Sequence, residues 1–421
     1  MTMAAPSEDV SRDQTFPCGP SGLAEEIGLA LSGGGYRATL FHLGALWRLN
    51  QLGWLRRLDR VSTVSGGSLM AGVLATRWDE LDWDNDNNRA KNFEAIIAEP
   101  TLRFTDRPID AFVIGLGLIP FVNPASVMDR VLHWTLTRRR RIDQVPNIPR
   151  FVFNSANLAT GVTWRFSRQY MGDSRIGVVC APNIRLSRAI AASAAYPPFV
   201  APLVLNLRGT TICYVDGADL FGDSKAQSLK NDVRLLDGGA YDNLGVESVE
   251  GRCRIVLASD AGGNLSVDTR TWRYHLWWPL IRRTLDLAVE VGRRQRRRAL
   301  IDRASAARAL VKAGKPNPFV TEQVAIWRTA QRITHHPRLP AGWAIDERWP
   351  AYLAGLSTRM WPMRSSDRKS LVNWGYLTAD LALRSWIPEL DKADPPEALP
   401  YPDAPLSSAP RPRRWWKPLT W

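Results

Sequence analysis

The chain has 421 residues, 45% hydrophobic and 23% charged, an ordinary folded composition long enough for one large core or two modest domains. Its formal net charge of +14 favours polyanionic partners, either nucleic acid or an anionic membrane surface, and eighteen Trp tilt the choice toward membrane. Four scattered cysteines (Cys18, Cys180, Cys213, Cys253) with no C-x-x-C pair argue against a zinc site and a dense disulfide framework, and are read as reduced thiols of a cytosolic protein.

Residues 1–22 carry acidic residues and three prolines with no apolar h-region, so they read as a loose leader without a secretory signal. Residues 27–31 form an apolar run that stops at Ser32-Gly33-Gly34-Gly35, a buried strand ending in a glycine turn. Helical spacing follows over 39–51, then a strand over 61–64, a second turn at Ser65-Gly66-Gly67-Ser68, and a helix over 69–77. That rhythm predicts an α/β fold with a mostly parallel central sheet flanked by helices. The Asp- and Asn-rich stretch 79–92 reads as a loop. The longest apolar run, 111–122, is too short to span a bilayer.

Further strands are expected at 151–153 and 163–166, paired as a hairpin, and at 212–215, 234–236 and 255–258. Helices are expected at 184–193, 276–301 and 371–386. Eight prolines in the last thirty-one residues predict an extended tail that packs no core. The domain reading is therefore a leader at 1–22, a catalytic unit at 23–390 with a helical C-terminal part, and a Pro/Arg/Trp-rich tail at 391–421.

Three constellations carry chemistry. The glycine run before a helix exposes backbone N–H groups suited to a phosphate or a forming oxyanion. No Gly-Lys-Ser/Thr follows it, and Ala38 occupies the last glycine position of a dinucleotide fingerprint. Ser65 sits on a strand-to-helix turn with Gly67 two positions after it, the setting of a nucleophile elbow, although Thr63 replaces the preceding glycine. Ser62 and Ser68 fit that pattern less well. Asp237 ends an apolar strand and is followed by Gly238-Gly239-Ala240-Tyr241-Asp242-Asn243-Leu244-Gly245. A rival, Asp216-Gly217, lacks that continuation.

The blocks Ser32–Arg37, Ser65–Ser68, Ala191-Ala192-Ser193-Ala194-Ala195-Tyr196-Pro197-Pro198 and Asp237-Gly238-Gly239, in that order, resemble those of patatin-like phospholipases. The serine block is more similar to the cytosolic phospholipase A2 variant than to plant patatins. Asn373-Trp374-Gly375-Tyr376 resembles a segment of bacterial members. The resemblance implies a Ser65–Asp237 dyad, an oxyanion hole from Gly33, Gly34 and Gly35 with charge from Arg37, and no metal or cofactor. The implied activity is phospholipase A-type ester hydrolysis through an acyl-enzyme.

The five histidines bear on the rival Ser-acid-His triad. His275 and His335 satisfy its order, but His275 lies in a Trp-rich patch, helix entry or membrane-facing, and His335-His336 in a polar loop. An acyltransferase using the same dyad is the nearer alternative. A basic membrane- or nucleic-acid-binding protein without catalysis is the more distant one, resting on 138–141, 293–298 and 411–417. The partners expected are a phospholipid or other acyl-lipid substrate and an anionic membrane surface, with no specific nucleic acid. The expected location is cytoplasmic, peripheral to the membrane.

Overall fold

A computed structural model describes residues 25–410 apart from Leu118, Phe199, Asn264 and Ser266. The leader at 1–22, Cys18 and the basic cluster at 411–417 lie outside the described residues.

The first half lays down the centre of the sheet. Strand β1 (Glu25–Leu31) leads into helix α1 (Gly35–Gln51), and β2 (Arg60–Thr63) into α2 (Gly66–Arg77). The stretch read as a loop carries a small hairpin, β3 (Trp83–Asp84) and β4 (Arg89–Ala90). Helices α3 (Glu99–Phe104), α4 (Ile109–Gly117) and α5 (Pro124–Thr135) follow. Pro124 opens α5, where Asn123 caps the helix by accepting from the Ser126 N–H.

Strands β5 (Arg150–Asn157), β6 (Thr163–Phe166), β7 (Tyr170–Asp173) and β8 (Gly177–Cys180) come next, then α6 (Leu186–Ser193) and β9 (Leu203–Leu205). The chain continues through α7 (Ser224–Asn231), β10 (Val233–Asp237), α8 (Gly239–Asp242) and β11 (Cys253–Asp260). Last come α9 (Trp277–Lys312), β12 (Gln323–Arg328), α10 (Trp349–Ala354) and α11 (Ser365–Trp386). The strand expected at 212–215 is absent; only Cys213 forms a bridge, to Val178.

The sheet runs β12-β11-β1-β2-β5-β6-β7-β8. The five strands from β12 to β5 are parallel, and β6 to β8 extend them as an antiparallel meander. Side-chain alternation sorts β1 onto two faces. Ile27, Leu29 and Leu31 pack with α1, α2 and α11, whereas Ala30 packs with Leu300 and Ala304 of α9. The result is a sheet covered by helices on both sides, which explains why its central strands are nearly continuous hydrophobic runs.

Helices α1 and α11 cross at Gly44 and Gly375. A Cβ on Gly44 would lie 1.9 Å from the Val372 carbonyl oxygen, and one on Gly375 equally close to that of Phe41. Backbones this near tolerate only glycine. The proline-rich segment after 391 is irregular but packed, contrary to its sequence expectation. Asn373 of α11 donates to the Tyr401 and Ala404 carbonyls and accepts from the Tyr401 N–H, and Leu406 is buried. One buried amide thus supplies the hydrogen bonds that prolines cannot make among themselves.

Cys180 is disulfide-bonded, while Cys213 and Cys253 are free thiols, which corrects the expectation of reduced thiols throughout. Among the described residues, most of the basic clusters at 138–141 and 293–298 is spent on internal pairing. Arg138 and Arg140 meet Glu80 and Asp79, and Arg293 and Arg297 share the buried Asp260. Arg294 meets Glu290, and Arg296 meets Glu247. Among the described residues no helix is long and apolar enough to cross a membrane.

Candidate active site

Strand β5 assembles the site. Its residues 153 and 155 both pair with β6 on one edge; on the other edge Phe153 faces Thr63 of β2 and Ser155 faces Asp237 of β10. Strand β2 is parallel to β5 and β10 antiparallel, so their C-terminal ends meet head-on along that edge. Ser65 leaves the end of one and Asp237 ends the other. The aspartate therefore arrives on an antiparallel strand.

Ser65 occupies φ 51°, ψ −115°, a backbone state that costs a non-glycine residue on the order of 1–3 kcal/mol. The turn survives because its neighbours over-determine it. The Ser65 N–H donates to both the carbonyl and the hydroxyl of Ser193. The Ser193 carbonyl also accepts from the Gly238 N–H at 3.2 Å, and the Ser193 hydroxyl donates to the Asn154 carbonyl at 2.6 Å. The Asp237 N–H donates to the Ala195 carbonyl. The Ala191–Pro198 block thereby ties the serine turn to the aspartate turn, a role the sequence did not reveal.

The rivals are placed elsewhere. Ser68 is buried and hydrogen-bonded to Thr63 and Ser193. Ser62 donates to the Gly245 carbonyl. Asp216 is exposed and lies outside the pocket that Ser65 and Asp237 share.

The Asp237 carboxylate is buried and accepts from the Gly239 N–H at 2.8 Å, with the Ser65 hydroxyl as a second donor beside it. Burial pushes its pKa up to about 6, with the two hydrogen bonds opposing the shift. That places it far better for accepting a proton than a free aspartate near about 3.9.

The glycine turn lies beside Ser65. Gly34 adopts φ 139°, and Gly34 and Gly35 are the N-cap and first residue of α1, where N–H groups have no intrahelical acceptor. The Gly33 N–H donates to the Asn243 carbonyl, which leaves Gly34 and Gly35 as the donors of this turn. Arg37 is buried with its guanidinium on the Ala354 and Leu356 carbonyls, while its Nε has no partner. Burial brings its pKa down to about 10, so it keeps its charge at neutral pH.

His42 lies beneath the turn. One ring nitrogen meets the Ser32 carbonyl and the other the Ser259 hydroxyl. Burial lowers its pKa to about 4, so the ring is neutral and its N–H belongs on Nε2, where the carbonyl can accept it. Among the described residues no histidine lines the pocket.

The pocket measures about 530 Å³, within the range of small-ligand sites. Ser65, Asp237, Gly33, Gly34, Gly35 and Arg37 line its floor, and Leu69, Ile114, Val200, Trp278 and Leu285 supply apolar walls. No sequence pattern marks α4 and the first half of α9 as walls, because their meeting is purely tertiary.

The patatin-like phospholipase family profile matches residues 29–249. The chain belongs to the patatin-like phospholipase family. Its blocks now have places: the glycine turn, the serine elbow, the Ser193 bridge and the aspartate turn. Human GIVD cytosolic phospholipase A2 is similar over 60% of this chain and 50% of its own, at 12% identity and a TM-score of 0.37. The same enzyme in complex with methyl gamma-linolenyl fluorophosphonate and terbium chloride is similar over 86% of this chain and 58% of its own, with 13% identity and a TM-score of 0.43. VipD from Legionella pneumophila is similar over 91% of this chain and 72% of its own, at 13% identity and a TM-score of 0.36. The chain thus spans half the length of that first human protein. No curated protein matches it.

Proposed function

We propose that this patatin-like protein is a lipid acyl hydrolase that cleaves phospholipid-type esters with a Ser65–Asp237 dyad. The observation that carries the reading is the Ser65 hydroxyl on a buried carboxylate of raised pKa, beside the glycine turn and inside an apolar pocket. Ser65 Oγ attacks the ester carbonyl carbon as Asp237 takes its proton. The carbonyl electrons move onto oxygen, where the Gly34 and Gly35 N–H groups and the charge of Arg37 stabilise them. Collapse expels the alcohol, which leaves with the proton from Asp237. Water then attacks the acyl-enzyme and gives its proton to Asp237; collapse breaks the bond to Ser65 Oγ, which takes that proton back, and the fatty acid departs.

The same proposal places the protein on the aqueous side of an anionic membrane. The cytoplasmic part of that reading meets a counter-indication in the Cys180 disulfide, since reducing compartments disfavour such bonds. A panel of phospholipid, galactolipid and triacylglycerol substrates, read by product mass against Ser65→Ala, tests the activity. Release of fatty acid by the parent and none by the mutant is expected; equal release by both would refute it.

A further inference from the structure

Two apolar segments remain outside the chemistry. Helix α4 turns Asp110 and Ile114 toward the pocket, yet leaves Phe112 58% exposed and Leu116 45% exposed, and Phe121 just beyond it is fully exposed. The turn entering α9 leaves Trp272 66% exposed and Leu276 56% exposed. Trp277 is 70% exposed and also lines the pocket, as do Trp278 and Ile281. Both segments contribute to the lining of one pocket, and each also carries apolar side chains exposed outside it. Apolar surface on this scale is seldom left to water without a purpose.

The charge around the mouth indicates the occupant. Along the α9 entry Arg270 pairs with Asp268 and Arg282 with Asp286, so Arg273 and Arg283 give this stretch a surplus of two positive charges. Arginines fringing tryptophans and leucines match an anionic bilayer, with phosphates at the rim and hydrocarbon at the centre. A second copy fits worse, because a two-fold pairing sets these arginines against their own counterparts.

We infer that α4 with its following turn and the entry to α9 form one docking surface for an anionic lipid bilayer, centred on the pocket mouth. The inference rests on the acyl-hydrolase reading for its substrate, and adds the route: an acyl chain passes from the bilayer into the pocket without crossing water. It places the membrane contact on the face that holds the opening. Inserted aromatic side chains leave a part of this binding that salt does not remove.

The test uses the full chain and vesicles of phosphatidylcholine with phosphatidylglycerol. Flotation of Ser65→Ala should equal that of the parent and persist in part at high salt, so binding is read independently of catalysis. In separate proteins, Phe112→Ser with Phe121→Ser, and Trp272→Ser with Leu276→Ser, should each weaken partition at least about tenfold. Each should hydrolyse a soluble short-chain nitrophenyl ester within about twofold of the parent, since none of the four lines the pocket. Hydrogen exchange on the unmodified chain provides a second readout, with vesicles protecting both 111–122 and 271–281. Undiminished flotation of both double variants, absence of protection at both segments, or a solution dimer that these variants dissociate would each overturn the inference. Failure of the parent to cleave the soluble ester would instead count against the hydrolase reading.

Discussion

The hydroxyl of Ser65 meets the carboxylate of Asp237, a group that burial has moved up to about 6. Asp237 must be ionised to take the proton, so activity should rise with pH through about 6 and level off above it. An unperturbed aspartate would place that rise about two pH units lower. The pH profile of kcat/KM on a soluble ester checks this; an inflection near about 4 would contradict it.

The same shift sets a stability dependence. The native state binds its proton more tightly than the unfolded chain, so stability falls as pH rises between about 4 and about 6. The loss is on the order of 3 kcal/mol for a shift of about two units. Asp237→Asn should therefore abolish turnover and yet be more stable than the parent at about pH 8, with the gain vanishing near about pH 4. Urea denaturation at the two pH values measures it, and a mutant less stable at the higher pH would refute the assignment.

Backbone strain at Ser65 makes a separate prediction. Glycine adopts φ 51° freely, so Ser65→Gly should be inactive but more stable by roughly 1 kcal/mol, the strain relieved less the entropy that glycine adds. A destabilised Ser65→Gly in the same denaturation assay would show that the turn is not strained.

Much of this site was legible in the sequence, and the reasons are local. Apolar runs cut off by glycines announced β1 and β2, and Asp237 stood out because its strand ends on a carboxylate followed by two glycines. The direction of β10 was not legible, because a strand carries no mark of its partner's orientation. Likewise, nothing in the run 111–122 showed that α4 would wall a pocket with one face and leave the other exposed. Ser193 looked like a small residue in a small-residue helix; the three hydrogen-bond partners of its hydroxyl come from β5, α2 and the Ser65 turn. The tail at 391–410 misled through its prolines, which predict an extended chain but say nothing of the Asn373 amide waiting for it.

That position of Ser193 is testable. Ser193→Ala removes the hydroxyl that serves Ser65, Ser68 and Asn154, while its carbonyl keeps both backbone partners. The cost should be about 2 kcal/mol of stability, with turnover reduced roughly ten- to a hundredfold and KM little changed. Steady-state kinetics beside thermal denaturation would detect it, and a mutant with parental turnover would remove Ser193 from the positioning of the elbow.

Histidine should matter little to the chemistry. His275→Ala, His335→Ala and His336→Ala should each stay within about tenfold of the parent, since loss of a triad histidine costs several orders of magnitude. A collapse of that size in any one folded mutant, measured on a soluble ester, would restore the triad.

The central claim, that Ser65 is the nucleophile and Asp237 its base, meets its most direct test in labelling by a lipid fluorophosphonate. Intact-mass measurement and peptide mapping of the parent should show one adduct, carried by Ser65, with none on Ser65→Ala and a greatly slowed reaction on Asp237→Asn. An adduct on Ser68 or another serine, or labelling of Asp237→Asn at the parental rate, would contradict the account.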